Sequence, residues 1–205
     1  MKILLIGANG TIGKEVKQLL KEKGHEVIEA SRSTSPSIDI SNPADIEKYF
    51  SNLGKVDAIV SAAGDAAFSL LKDVSEEEIQ LSVNSKLLGQ VNLTRKGLQN
   101  LNPGGVIVLT GGILAYSPIP QTSLIAMVNA GLEGFARAAA LELTEGRRIV
   151  VVHPDWVSET AAKIGLDASS YPDAKKTATA YLEAIEGTQN GEPIFVEGFK
   201  PDSKF

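Results

Sequence analysis

The first thirteen residues constrain this chain most. Met1-Lys2-Ile3-Leu4-Leu5-Ile6 is an apolar run of strand length, and it leads directly into Gly7-Ala8-Asn9-Gly10-Thr11-Ile12-Gly13. A helical pattern follows, with Ile12, Val16, Leu19 and Leu20 on one face and Gly24 as the stop. Strand, glycine turn and helix in that order form a cradle for phosphate. Glycine permits a sharp turn and a close backbone approach. The helix N-terminus offers free N–H groups and the positive end of its dipole. In this setting the three-residue glycine spacing predicts dinucleotide binding, with Gly10 and Gly13 against the pyrophosphate.

The rest of the composition narrows the class. At 205 residues and 43% apolar content, one domain over 1–205 with a sizeable core is expected. The net charge is −5 and the 20 Lys and Arg are scattered, so no basic stripe exists to neutralise a nucleic-acid backbone. With no cysteine, disulfides, zinc–thiolate sites and thiol catalysis are excluded, and no metal site is expected. Met1 at the edge of a core strand leaves no room for a cleaved leader, and no apolar run reaches membrane-spanning length. The expectation is a cytoplasmic protein that engages neither nucleic acid nor membrane.

Along the chain, strands and helices alternate. Strands are predicted at Met1–Ile6, His25–Ala30, Ser37–Ile40, Val56–Val60, Val106–Leu109, Arg148–Val152 and Glu192–Val196. His25 is expected to be solvated at the turn before the second. Asn42 caps a helix with Pro43 at its first position, and Ile46, Tyr49, Phe50 and Leu53 form its apolar face. Ser75 and Glu78 make a capping box, from which a long helix is expected to run towards Gln99 with at most one break. Pro103-Gly104-Gly105 reads as a turn. A helix from Thr122 to about Leu143 carries a slender face of Ala126, Ala130, Gly131, Gly134, Ala138 and Ala139, and another contains Ala174, Ala178, Tyr181, Leu182 and Ile185. The pattern predicts an α/β, three-layer, doubly wound Rossmann fold with a mostly parallel sheet of roughly seven strands.

Ligands bind such a fold at the carboxyl ends of its strands. Those ends are the Gly7 turn, Ser31-Arg32-Ser33, Ser61-Ala62-Ala63-Gly64, Thr110-Gly111-Gly112 and His153-Pro154-Asp155-Trp156-Val157-Ser158. Hydroxyls and an arginine at the end of the second strand, in place of an acid, suit a 2′-phosphate and so favour NADP(H) over NAD(H).

Here the chain resembles the short-chain dehydrogenase/reductase superfamily over nearly its whole length. Gly7 to Gly13 is similar to that superfamily's G-x-x-G-x-x-G motif. The resemblance implies that Asp39 contacts adenine, that Ser61-Ala62-Ala63-Gly64 stands for Asn-Asn-Ala-Gly, and that Asn84 is the helix asparagine of the catalytic tetrad. Pro154-Asp155-Trp156-Val157 resembles the segment that touches the nicotinamide. Ala130-Gly131-Leu132-Glu133-Gly134-Phe135 matches the stretch after the catalytic tyrosine and lysine, yet those two positions hold Ile125 and Asn129, and Gly112 replaces the serine. In the family the phenol exchanges a proton with substrate oxygen while lysine lowers its pKa. Ile125 and Asn129 cannot do this, so the chain resembles an atypical member. Tyr116, Ser123, Lys86 and His153 are the candidate stand-ins as proton donor. Three functions follow: an NADP(H) oxidoreductase acting on a quinone- or flavin-like acceptor, a catalytically silent cofactor-binding sensor or scaffold, and a carbonyl reductase with a relocated acid. The only candidate lid over substrate is Ser158 to about Leu166. The family often pairs through its two long helices, so a homodimer or tetramer is expected.

Overall fold

The computed structural model describes residues 1–163 and 167–201. One sheet organises it, in the order β2-β1-β3-β4-β5-β6 with every pair parallel. The strands are β1 (Lys2–Ile6), β2 (Glu26–Ala30), β3 (Val56–Ser61), β4 (Leu101–Thr110), β5 (Arg148–His153) and β6 (Pro193–Phe195). The helices are α1 (Thr11–Glu22), α2 (Pro43–Asn52), α3 (Glu76–Ser82), α4 (Gly89–Gly97), α5 (Ser123–Ala139), α6 (Ser158–Lys163) and α7 (Ala174–Glu186).

The three layers follow from strand alternation. Ile3, Leu5, Val106, Val108, Val150 and Val152 pack with Val16 and Leu20 of α1 and Tyr181 and Ile185 of α7. Their neighbours Leu4, Ile6, Ile107, Leu109, Ile149 and Val151 pack with α2, α4 and α5 through Phe50, Leu93 and Leu132. Local signals set the helix starts as expected: the Asn42 side chain accepts from the Ala44 amide, and Ser75 with Glu78 closes the reciprocal box.

The structure corrects the sequence reading in four places. The sheet has six strands, because Ser37–Ile40 forms no ladder. Ile38 donates one bond to the Ser31 carbonyl, but the Thr34 hydroxyl bonds the Ser31 and Pro36 carbonyls and Asp39 folds onto Ser41. Side chains thus take the place of strand pairing, while Ile38 and Ile40 still enter the core. Pro103-Gly104-Gly105 lies inside β4 as an irregularity, where the register jumps from Val56↔Leu101 to Ala58↔Val106. The helix after Ser75 runs on towards Gln99 with one interruption, as expected, a π-helical stretch at Val83–Leu88 between α3 and α4. Two serines there serve the adjoining loop: Ser82 Oγ, just before the stretch, accepts from the Ala67 amide and Ser85 Oγ, within it, from the Asp65 amide. The helix expected to reach Leu143 ends at Ala139. His25 is largely covered, with its Nε2 3.1 Å from Glu186 Oε1 on α7.

Candidate functional site

At the carboxyl ends of the strands lie two adjoining cavities of about 570 and 310 Å³. They share Ile12, Gly64, Asp65, Lys86 and Thr110 as walls, so they form one crevice.

The larger cavity begins at the β1 turn. Gly7 has φ +87°, and a Cβ there would stand 2.5 Å from the Ala62 carbonyl oxygen, so only glycine brings the β1 and β3 ends this close. At Gly10 a Cβ would meet nothing nearer than the Gly7 oxygen at 3.4 Å. No side chain caps α1 at Gly10, which leaves its first amides free for an anion. Asn9 points instead to the far end, where Nδ2 donates to Ser33 Oγ at 2.9 Å and Ser31 Oγ at 3.1 Å. Arg32 is exposed beside them, its guanidinium 3.8 Å from Asp65. Asp39 lines the same cavity, and its hydrogen bonds from Ser41 hold the carboxyl below the ordinary range. Ala62, Ala63 and Gly64 form the β3 wall.

The smaller cavity holds the three positions where the catalytic motif departs: Gly112, Ile125 and Asn129. They converge in space, for a Cβ on Gly112 would lie 2.7 Å from Asn129 Nδ2. Its other walls include Phe68 and Trp156, whose rings sit 5.4 Å apart, together with Pro154 and Asp155. Burial raises the Asp155 carboxyl pKa, against a bond from the Trp156 amide. Lys86 stands at the junction, and burial lowers its ammonium to about 8 while Asp65 pulls it back up.

Of the proposed proton donors, Lys86 alone borders the crevice. Asn84 and Ser123 are exposed on helix surfaces away from it. The Tyr116 hydroxyl donates to Glu133 Oε2, its ring packs on His153 and Phe195, and burial, followed by that bond, raises its pKa. His153 is fully buried behind the Gly111–Gly112 turn, with Nδ1 3.0 Å from the Gly112 oxygen, and burial lowers its pKa. These two aromatics are supports of the pocket wall.

Three residues expected to touch cofactor lie off the crevice lining. Gly13 is buried beneath the turn, Thr11 is exposed at the start of α1, and Val157 is buried at the start of α6; none borders the crevice. Ile164 to Leu166 of the expected lid lie outside the described residues. Asp65, Ser85 and Phe68 were missed by sequence reasoning. Asp65 directly follows Gly64 at a strand end, which was an available signal; Ser85 and Phe68 carried none. Among the described residues no acidic or histidine cluster could hold a metal ion, and no helix is long and apolar enough to cross a membrane.

A parallel sheet with a glycine turn feeding an uncapped helix, and a crevice at its strand ends, defines a Rossmann-type dinucleotide-binding protein. A family model described as enoyl-(acyl carrier protein) reductase matches residues 2–187. The chain belongs to the short-chain dehydrogenase/reductase superfamily. It is 25% identical to carbonyl reductase family member 4 of Danio rerio over 95% of each chain. Among solved structures, the Listeria innocua protein lin1944 is 42% identical with a TM-score of 0.90, covering 96% of this chain and 99% of that one. A small-chain dehydrogenase solved in complex with NADPH is 27% identical with a TM-score of 0.85, covering 97% of each.

Proposed function

We propose that this protein is an NADP(H)-dependent oxidoreductase that transfers hydride to a planar ring acceptor. The observation that carries the reading is the single crevice, with a hydroxyl-and-arginine cluster at one end and an apolar, aromatic-walled pocket at the other. Bound NADPH would supply hydride at the junction. Gly7, Gly10 and the first amides of α1 would hold the pyrophosphate, Asp39 the adenosine, and Asn9, Ser31, Arg32 and Ser33 the 2′-phosphate. Pro154 and Trp156 would flank the nicotinamide. Nothing at Ile125 can protonate an alkoxide, which argues against aliphatic ketones and aldehydes. A binding-only sensor is the second reading, and the loss of Tyr, Lys and Ser at positions 125, 129 and 112 is what favours it. The test is NADPH oxidation across a panel. Turnover of naphthoquinones or flavins without turnover of aliphatic ketones is the expected result. Tight NADPH binding with no turnover of any acceptor would replace it with the sensor.

The protein is further proposed to act in the cytoplasm as a two-fold homodimer. Ala130, Gly134 and Ala138 form an exposed slender face on α5 beside exposed Met127. The neighbouring α3 and π-helical stretch add exposed Leu81 and Leu88. A Cβ at Gly134 meets no atom within 4 Å. Gly134→Arg should therefore fold and give a monomer by light scattering, against a dimeric wild type. A dimeric variant would place the contact elsewhere.

A further inference from the structure

The smaller cavity contains no phenol, yet it has one cation. Lys86 lies within the π-helical stretch Val83–Leu88. Gly64 makes room for its stem, since a Cβ there would lie 3.0 Å from Lys86 Cδ and 3.1 Å from Lys86 Cα. Lys86 borders both cavities. Among the described residues its ammonium has no hydrogen-bonded or ion-pair partner, although many surface lysines are paired. The smaller cavity is also lined by Phe68 and Trp156, whose rings suit contact with an aromatic ring.

We propose that Lys86 is the catalytic cation of this chain, and that its substrate is a conjugated ring ketone of the quinone class whose reduction leaves an oxyanion beside the ammonium. The inference rests on the NADPH reading and deepens it. The chemistry selects the class. Hydride adding to an isolated ketone creates an alkoxide, about as basic as hydroxide, whose parent acid has a pKa near 15.7. That product needs an acid already in place. Hydride adding at a ring carbon conjugated to a quinone carbonyl breaks the C=C π bond and sends that pair through the C=O onto oxygen as an enolate, the tautomer of a phenolate whose parent pKa is roughly 10. An ammonium of about 8 is acidic enough to protonate it. NADPH loses two electrons as hydride, the ring gains them, and the proton that Lys86 gives is regained from solvent. Ile113, Leu114 and Ile125 give the smaller cavity an apolar stretch of wall beside the polar Asn129 and Asp155, and charge attraction is stronger where water is displaced by such a surface.

Burial and Asp65 after β3 set its charge; the other titratable or charged groups around it are Asp155 after β5, Arg32 paired with Asp65, and the buried His153 beside Glu133. Lys86 is cationic below about pH 8 and loses its charge above it.

Trp156 is the only tryptophan in the chain, so its emission reports the pocket directly. The probes are 2-hydroxy-1,4-naphthoquinone, an anion at neutral pH, and menadione, its neutral counterpart of the same ring. Both are titrated into the cofactor-free protein at about pH 6.5 and about pH 9.5. Wild type should bind the anion about tenfold more tightly than menadione at the lower pH, and the preference should fade at the higher. Lys86→Met keeps the stem and should abolish the preference. Lys86→Arg should retain it at both pH values, because guanidinium does not deprotonate there. An equal preference in wild type and Lys86→Met, or no quenching by either ring, overturns the proposal. NADPH titrated in the same samples separates the two levels. Normal NADPH binding with failed discrimination removes only this inference, whereas absent NADPH binding removes the reading beneath it.

Discussion

Gly13→Ala should destabilise the fold of this protein, whereas Gly10→Ala should cost it only its cofactor. The two glycines stand one helical turn apart in one motif, but the structure assigns them different work. A Cβ at Gly13 would lie 2.0 Å from the Gly7 oxygen, 2.8 Å from the Gly7 carbonyl carbon and 3.1 Å from Ala8 Cα. All three are backbone atoms of the turn itself, so no rotamer change relieves the clash. Overpacking of this kind costs about 3 kcal/mol or more, which in a chain of this size lowers Tm by roughly 6–12 °C. At Gly10 the nearest atom to a Cβ is 3.4 Å away and φ is −73°. Alanine fits there without strain, but its methyl enters the space where the pyrophosphate would lie. Thermal melts and NADPH titrations of both variants check this. A Gly13→Ala protein with native Tm would contradict the packing role, and native NADPH affinity in Gly10→Ala would contradict the cradle.

Arg32→Ala should weaken NADPH binding about ten- to a hundredfold and leave NADH nearly unchanged. Among the described residues Arg32 makes its one ion pair with exposed Asp65 at 3.8 Å, a pair that holds the guanidinium weakly. Asn9, Ser31 and Ser33 form a connected hydrogen-bonded cluster beside it. A charge-assisted hydrogen bond to phosphate contributes roughly 1.5–3 kcal/mol, and ~1.4 kcal/mol is a factor of ten. General electrostatic attraction would instead weaken both dinucleotides together. Titrating both cofactors against both proteins at one ionic strength gives the ratio. Equal losses, or a wild-type preference for NADH, would contradict the phosphate assignment.

What was legible in the sequence was local. The β1–turn–α1 unit, the Asn42 cap and the Ser75–Glu78 box each depend on residues within a few positions of one another, and the structure has them as expected. The alternation along β1, β4 and β5 carried both faces of the sheet. Ser37–Ile40 misled because its apolar alternation is real, and Ile38 and Ile40 are buried, but the Thr34 and Asp39 side chains consume the polar groups a strand would use. The missed site residues depend on tertiary placement. Ser85 matters because the π-helical stretch turns it to the Asp65 amide, a contact between residues twenty apart. Tyr116 and His153 are chemically suited to proton transfer, yet the Tyr116 hydroxyl is bonded to Glu133 of α5, His153 is buried beside that same carboxylate, and neither lines the crevice. No spacing in the chain reveals that pairing. The convergence of Gly112, Ile125 and Asn129 was readable only through the resemblance, and the structure then places all three on one pocket wall.

Hydride transfer itself is tested most directly by mixing the protein with one equivalent of NADPH and an excess of menadione under nitrogen, and following the reduced-nicotinamide absorbance. The expected result is complete loss of that band, with one menadione reduced per NADPH, and marked slowing in Lys86→Met. An unchanged band, with NADPH demonstrably bound and menadione quenching Trp156, would contradict the assignment of this chain as an oxidoreductase of ring acceptors.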